Sequence, residues 1–257
     1  MQANAELNKI ALLIQQNQWQ AAEKMLQALL RKSPQHAVAH RLLGDCLLAR
    51  QQWRPALEVY QRSLSLRMSA EALIGMGKAA DMLRINEVAE KCYRTALAQL
   101  PKSAELKYRL GVLLGGSRDG AEEALQLLGA AIEQGFQPAR AYLHISQLAE
   151  RWLKNFDMAF NAASKALECD ADNVDAMLRL ADLYWRNNYI EEALQILNKA
   201  LQVDGERADL YQMFSQSLLK KGEHAQCLQL LQRAVALAPN DAQTYSSYLF
   251  ALNYIDS

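Results

Sequence analysis

Small and bulky apolar residues return at one spacing along this chain. Setting Ala37 as the first position of a frame of about 34 residues places Leu43 and Gly44 at positions 7 and 8, Ala56 at 20, Tyr60 at 24 and Ser63 at 27. The same frame fits windows beginning at Ala3, Ala37, Ala70, Ala104, Ala139, Val174 and Ala208, with one-residue adjustments near Met68, Gly116 and Trp152. Position 8 reads Ile10, Gly44, Gly77, Gly111, Ser146, Ala181 and Ser215; position 20 reads Ala22, Ala56, Ala89, Ala124, Ala159, Ala193 and Cys227. Two antiparallel helices can cross closely only where small residues stand, because a large side chain holds the backbones apart. Bulk is found instead at position 7 (Lys9, Leu43, Met76, Leu110, Ile145, Leu180, Phe214) and position 24 (Leu26, Tyr60, Tyr93, Leu128, Ala163, Leu197, Leu231), as knobs between neighbouring helices. The pattern predicts seven helix-turn-helix units laid end to end. Pro34, Pro101 and Pro239 fall at position 32, where the second helix must stop and a missing N–H does least harm. Met68, Phe136, Ala171 and Gly205 stand there in the other windows, where the helix is expected to run on or to be shaped by its neighbours.

This kept register resembles the tetratricopeptide repeat (TPR) family over residues 3–241. The resemblance implies an all-α fold, a right-handed superhelix or α-solenoid, whose concave face is lined by the first helix of each repeat and receives an extended peptide or a partner's helix. The fold by itself fixes no ligand. Residues 242–254 read as one more first-type helix, with Tyr245, Tyr248, Leu249 and Leu252 on one face, and a solenoid needs such a capping or linker helix over its last apolar surface. The run Tyr245-Ser246-Ser247-Tyr248-Leu249-Phe250-Ala251-Leu252-Asn253-Tyr254 also resembles the segment joining TPR repeats to the catalytic half of O-GlcNAc-transferase-like glycosyltransferases. That resemblance implies an alternative, the substrate-recognition arm of a longer glycosyltransferase. Position 6 departs from the asparagine ladder of that arm, reading Asn8, Leu42, Gly75, Arg109, His144, Arg179 and Met213. The chain also departs from TPR clamps for acidic chaperone tails, since Asp45 at position 9 of the second window would repel the tail.

Composition narrows the function further. A chain of 257 residues exceeds the usual single-domain size, and an array that renews its core at every repeat escapes that limit. With 51% hydrophobic residues but only 11 Gly and 5 Pro, there are too few turn-formers for an all-β fold. The 28 basic and 28 acidic residues cancel, which argues against nucleic acid or an acidic membrane surface as the partner. The run Ile10–Ile14 is too short for export or spanning, so no membrane insertion and a cytoplasmic location are expected. Cys46, Cys92, Cys169 and Cys227 lack any CxxC spacing and are expected to be small reduced core residues, with no metal. His36, His40, His144 and His224 are scattered, and His40 is expected to be a satisfied interior residue. Gly111, Gly115, Gly116 and Gly120 have no strand before them and no Lys-Ser or Lys-Thr after, so they read as a loosened turn rather than a phosphate loop. No nucleophile, base and acid converge on any motif, and neither catalysis nor a cofactor is expected.

The expected activity is that of a protein–protein interaction scaffold. Groove positions 2, 5, 6, 9, 12 and 13 of the fourth to sixth repeats include Tyr108, Arg109, Arg140, His144, Arg179, Asp182, Trp185 and Arg186. Arginine forks bind carboxylates or backbone carbonyls, and Trp and Tyr bury much area at low entropy cost. The expected partner is therefore an extended protein or peptide segment with an acidic group, running beside Arg109, Arg179 and Trp185.

Overall fold

The computed structural model describes the backbone of residues 2–255 and the side chains of 6–252, so the side chains of Ala3, Asn253 and Tyr254 lie outside the described residues. Among the described residues the chain forms 15 helices and no strand. It divides into two compact units, Met1–Phe136 and Gln137–Ser257. The first unit holds α1 (Gln2–Gln15), α2 (Trp19–Lys32), α3 (Ala37–Ala49), α4 (Trp53–Leu66), α5 (Ala70–Met82), α6 (Asn86–Gln99), α7 (Ala104–Leu114) and α8 (Ala121–Glu133). The second holds α9 (Pro138–Arg151), α10 (Phe156–Cys169), α11 (Val174–Arg186), α12 (Ile190–Val203), α13 (Ala208–Lys221), α14 (His224–Leu237) and α15 (Ala242–Ile255). Within each unit every helix packs on the next in sequence, so each is a stack of helical hairpins.

The helix ends are set locally. His36, Ser69, Ser103 and Asn173 accept a hydrogen bond from the third backbone N–H beyond them and so start α3, α5, α7 and α11. Asp241 caps α15 in the same way, accepting from Thr244 N at 2.9 Å. In six hairpins the turn from first to second helix passes through one left-handed residue: Asn17, Gln51, Arg84, Lys154, Asn188 or Gly222. That conformation costs a residue bearing a Cβ about 1–2 kcal/mol, which the packing of the two helices offsets. The turn from α7 to α8 has no such residue and instead runs through Gly115–Gly120 as a longer connection. The helices without a proline at position 32 do not run on. α4, α10 and α12 are 14 residues long, like the proline-terminated α2 and α6. Their ends are fixed by extended cap residues, Arg67, Asp170 and Asp204, which turn the chain toward the next first helix.

The crossings show why the small residues are needed. All the position-20 residues, from Ala22 to Cys227, are buried. The position-8 glycines, however, clear the position-24 side chain rather than the position-20 residue alone. A Cβ on Gly44 would stand 2.7 Å from Tyr60 Cε1, and one on Gly77 would stand 2.5 Å from Tyr93 Cε1. Glycine meets a tyrosine at these two crossings and Leu128 at a third, where a Cβ on Gly111 would stand 2.9 Å from its Cγ, so glycine at position 8 leaves room for a bulky position-24 side chain.

Three expectations are corrected in detail. Cys46, Cys92 and Cys227 are buried, but Cys169 closes α10 and is exposed. His40 is only half-buried and satisfied locally, its Nε2 lying 2.9 Å from the Pro34 carbonyl. The apolar face expected on α15 is split: Tyr248 packs inward beside buried Thr244 and Ala251, while Tyr245 and Leu249 point outward. α14 meets α15 along only one side of that helix, and this selects i, i+4, i+7 residues rather than the broader apolar set.

Candidate functional site

In the first unit Tyr60 organises the hairpin of α3 and α4. Its ring lies between Gly44 and Gly75, and its hydroxyl donates to Asp45 Oδ1 at 2.6 Å. Arg41 donates to the other oxygen of the same carboxylate at 2.8 Å, so the two charges that sequence placed at positions 5 and 9 neutralise each other. Burial raises the Asp45 carboxyl above its ordinary range against the pull of Tyr60 and Arg41. Burial first, and then Asp45, pushes the Tyr60 phenol well above the usual tyrosine value.

One repeat further on, Lys78 and Arg109 share Glu105, with N···O distances of 2.8 and 2.9 Å. Burial alone would raise the Glu105 carboxyl, but hydrogen bonds from Lys78 and Arg109 outweigh it and hold the group below its usual range. Arg109 also lies near the Tyr93 hydroxyl and partly opposes the upward push that burial gives that phenol. Tyr108 packs against Phe136 with ring centroids 5.6 Å apart. Of the eight expected site residues, Tyr108 and Arg109 belong to this first unit and the other six to the second.

In the second unit α9, α11 and α13 carry a connected polar set. Arg179 donates to Ser146 Oγ at 2.9 Å, to the Ser146 carbonyl at 3.0 Å and to Glu150 at 2.8 Å. Its side chain is 11% exposed and that of Glu150 16%, so the fork is spent inside the protein. Arg186 lies 3.3 Å from the other oxygen of Glu150 and 3.0 Å from Asp182, yet its side chain remains 52% exposed. Hydrogen bonding to Asp182 raises the Arg186 guanidinium above its already high value. Lys220 of α13 sits over the Trp185 ring at 4.8 Å and donates to the Trp185 carbonyl at 2.9 Å. The Trp185 indole N–H is buried without an acceptor among the described residues. His144 is held below the ordinary histidine value, first by burial and further by the Arg140 charge, against a hydrogen bond with Gln147. Arg140 itself is exposed at the start of α9.

Arg179, Asp182, Trp185 and Arg186 are thus brought together, and Ser146, Glu150 and Lys220 complete the set. The repeat frame could have found these last three: Glu150 and Lys220 occupy groove positions 12 and 13 of their windows, and Ser146 is the position-8 crossing residue.

Among the described residues, no helix is long and apolar enough to cross a membrane. Open cavities flank the hairpins: one, of about 240 Å³, lies between Arg41, Arg67 and Glu71, and two others are more apolar. One, of about 680 Å³, lies between α4 and α6 over Leu73 and Met76; the other, of about 330 Å³, lies where α13, α14 and α15 meet beside Leu231.

The family model described as "Tetratricopeptide repeat" matches residues 13–72, 153–206 and 189–247. Among solved structures, a tetratricopeptide repeat protein from Parabacteroides merdae is similar with a TM-score of 0.75 at 19% identity, covering 97% of this chain and 98% of that one. Pseudomonas aeruginosa PilF is similar with a TM-score of 0.68 at 19% identity, over 85% of this chain and 97% of that one. A chain of the APC/C Cut9–Hcn1 hetero-tetramer is similar with a TM-score of 0.70 at 16% identity, over 95% of this chain and 48% of that one. No curated protein sequence matches the chain. At these identities the structural likeness speaks for the fold.

Proposed function

Because this chain belongs to the tetratricopeptide repeat family, we propose that it is an interaction scaffold which holds an extended segment of a partner protein against α9, α11 and α13. Repeats of this family generally mediate protein–protein contacts, and the Cut9–Hcn1 neighbour is itself part of a hetero-tetramer. The observation that carries the reading is the pre-ordered polar set of the second unit. Arg179, Glu150, Asp182 and Arg186 fix one another, so these side chains lose little further freedom when a partner meets them. These four charges balance, and Lys220 beside Trp185 adds an uncompensated basic group, which favours a partner carrying a carboxylate. Arg186, the exposed guanidinium of the set, makes that contact while Arg179 holds the platform beneath it, and Arg140, exposed at the start of α9, offers a second cation further along the same extended segment.

The test is capture of partners from a cell lysate by the wild-type chain and by the Arg140→Ala/Arg186→Ala double variant, both shown folded by circular dichroism. The variant is expected to lose at least one partner, with a loss that shrinks as salt rises from about 50 to 500 mM because exposed charges are then screened. Equal recovery of every partner at low salt would refute the reading.

A further inference from the structure

In a stack of antiparallel hairpins the first helices all run the same way, so the connections that lead into them line one edge. Successive first helices pack together accordingly, α3 on α5 and α11 on α13. Along this edge of the first unit, Arg31 and Lys32 close α2, Arg67 follows α4 and Lys102 follows α6, and all four are exposed. The segments that hold them, 31–36, 67–69 and 100–103, contain no Asp or Glu. Along the corresponding edge of the second unit, segments 170–173, 204–207 and 238–241 carry Asp170, Asp172, Asp204, Glu206 and Asp241. Their one cation, Arg207, is held by Asp175 and Asp209. Lys32 pairs with Glu6 and Glu206 with Arg233, whereas Arg31, Arg67, Lys102, Asp170, Asp172 and Asp204 enter no ion pair among the described residues.

The units differ in charge as their edges do. Met1–Phe136 carries 17 Lys and Arg against 13 Asp and Glu, and Gln137–Ser257 carries 11 against 15. A chain that is neutral overall is therefore made of a positive unit and a negative one. Packed helices lie about 10 Å apart, and the same hairpin spacing sets the rungs of both edges, so basic and acidic rungs match in step as well as in sign. The basic edge also exposes Val38, Met68 and Leu100 among its cations, and the acidic edge exposes Val203. Charge sets partner and register in such a contact, and the apolar groups supply area to bury.

We infer that the basic edge of the first unit docks on the acidic edge of the second unit in another copy of this chain. Unlike surfaces meet in such a contact, so two copies either close a pair through two contacts or leave an end open for a third copy. The equal step selects this occupant: an unrelated acidic segment would have to reproduce the rung spacing, whereas a second copy carries it because the repeat makes both edges. The polar set proposed above to hold a partner is centred on the far ends of α9, α11 and α13, at Glu150, Arg186 and Lys220, so either surface can fail without the other.

Sedimentation equilibrium of the full chain tests this. At about 50 mM salt the wild type is expected to self-associate with a Kd below about 100 µM, and about tenfold or more weakly at about 500 mM, where exposed charges are screened. Arg67→Glu/Lys102→Glu reverses two rungs of the basic edge, and Asp172→Arg/Glu206→Arg reverses two rungs of the acidic one. Each double variant, shown folded by circular dichroism, is expected to stay monomeric at about 100 µM, because like charges then oppose one another. Mixing the two variants in equal amounts is expected to restore association, since the intact acidic edge of one then meets the intact basic edge of the other. A wild type that stays monomeric at low salt, association that ignores salt or either double substitution, or a mixture that remains monomeric would overturn the inference.

Discussion

Substituting Gly75 by alanine sets helix propensity against packing, and the two predict opposite signs. In an exposed helix interior the change would stabilise by about 1 kcal/mol, because alanine loses less backbone entropy than glycine. At Gly75 the added Cβ would stand 2.3 Å from Tyr60 Cζ and 2.6 Å from the Tyr60 hydroxyl oxygen, inside any real contact distance. The ring has no room to yield, since Tyr60 is fully buried and a Cβ on Gly44, across the ring, would already stand at 2.7 Å. Overpacking of this kind costs about 1–3 kcal/mol. Any displacement of the ring also weakens the bond from Tyr60 to Asp45, worth about another 1 kcal/mol because Arg41 keeps the carboxylate partly satisfied. The net expectation is destabilisation by about 2 kcal/mol, which corresponds to amide exchange about 30-fold faster in α4 and α5. Native-state hydrogen exchange is the suitable assay, because it reads local opening in an array that need not unfold as one unit. Adding Tyr60→Leu should recover part of the loss, since leucine fills the same position opposite Gly111, Ala181 and Ser215. A Gly75→Ala protein with slower or unchanged exchange, and no coupling to Tyr60→Leu, would refute the packing account.

Three further outcomes are expected. Arg179→Ala should cost about 2–3 kcal/mol by leaving Glu150 with Arg186 as its remaining partner and removing the donor to the Ser146 hydroxyl and carbonyl, whereas Arg186→Ala at the exposed end of the same set should cost less than about 1 kcal/mol; urea midpoints of the two variants check this. Ala193→Leu should cost about 1–3 kcal/mol at the crossing of α11 and α12, and an unchanged denaturation midpoint would place the crossing elsewhere. His144 has a folded-state value below the unfolded value of about 6.5, so its contribution to stability is present above that pH and is lost as pH falls through it. The melting temperature should therefore drop between about pH 7 and 5 more steeply in wild type than in His144→Gln, and parallel curves would assign the pH dependence to another group.

The repeat frame was legible because its cause is local and periodic. A small residue must stand wherever two helices cross, and the chain restates that requirement in every window, from Ala22 opposite Ile10 to Cys227 opposite Ser215. The same frame indicated a further first-type helix after Asp241, since α15 obeys the same spacing. Tertiary structure alone decided which partner each residue meets. Sequence could list Arg179 and Arg186 as equivalent groove cations, but only the packing of α9 against α11 buries one on Glu150 and Ser146 and leaves the other at the surface. It could name Tyr245, Tyr248, Leu249 and Leu252 as one apolar face, yet whether that face is covered depends on a neighbouring helix that covers one stripe and leaves the next exposed. Periodicity fixes which way a side chain leaves its own helix, because that follows from backbone geometry. What stands opposite it is set by the neighbouring helices, which no window of the sequence contains.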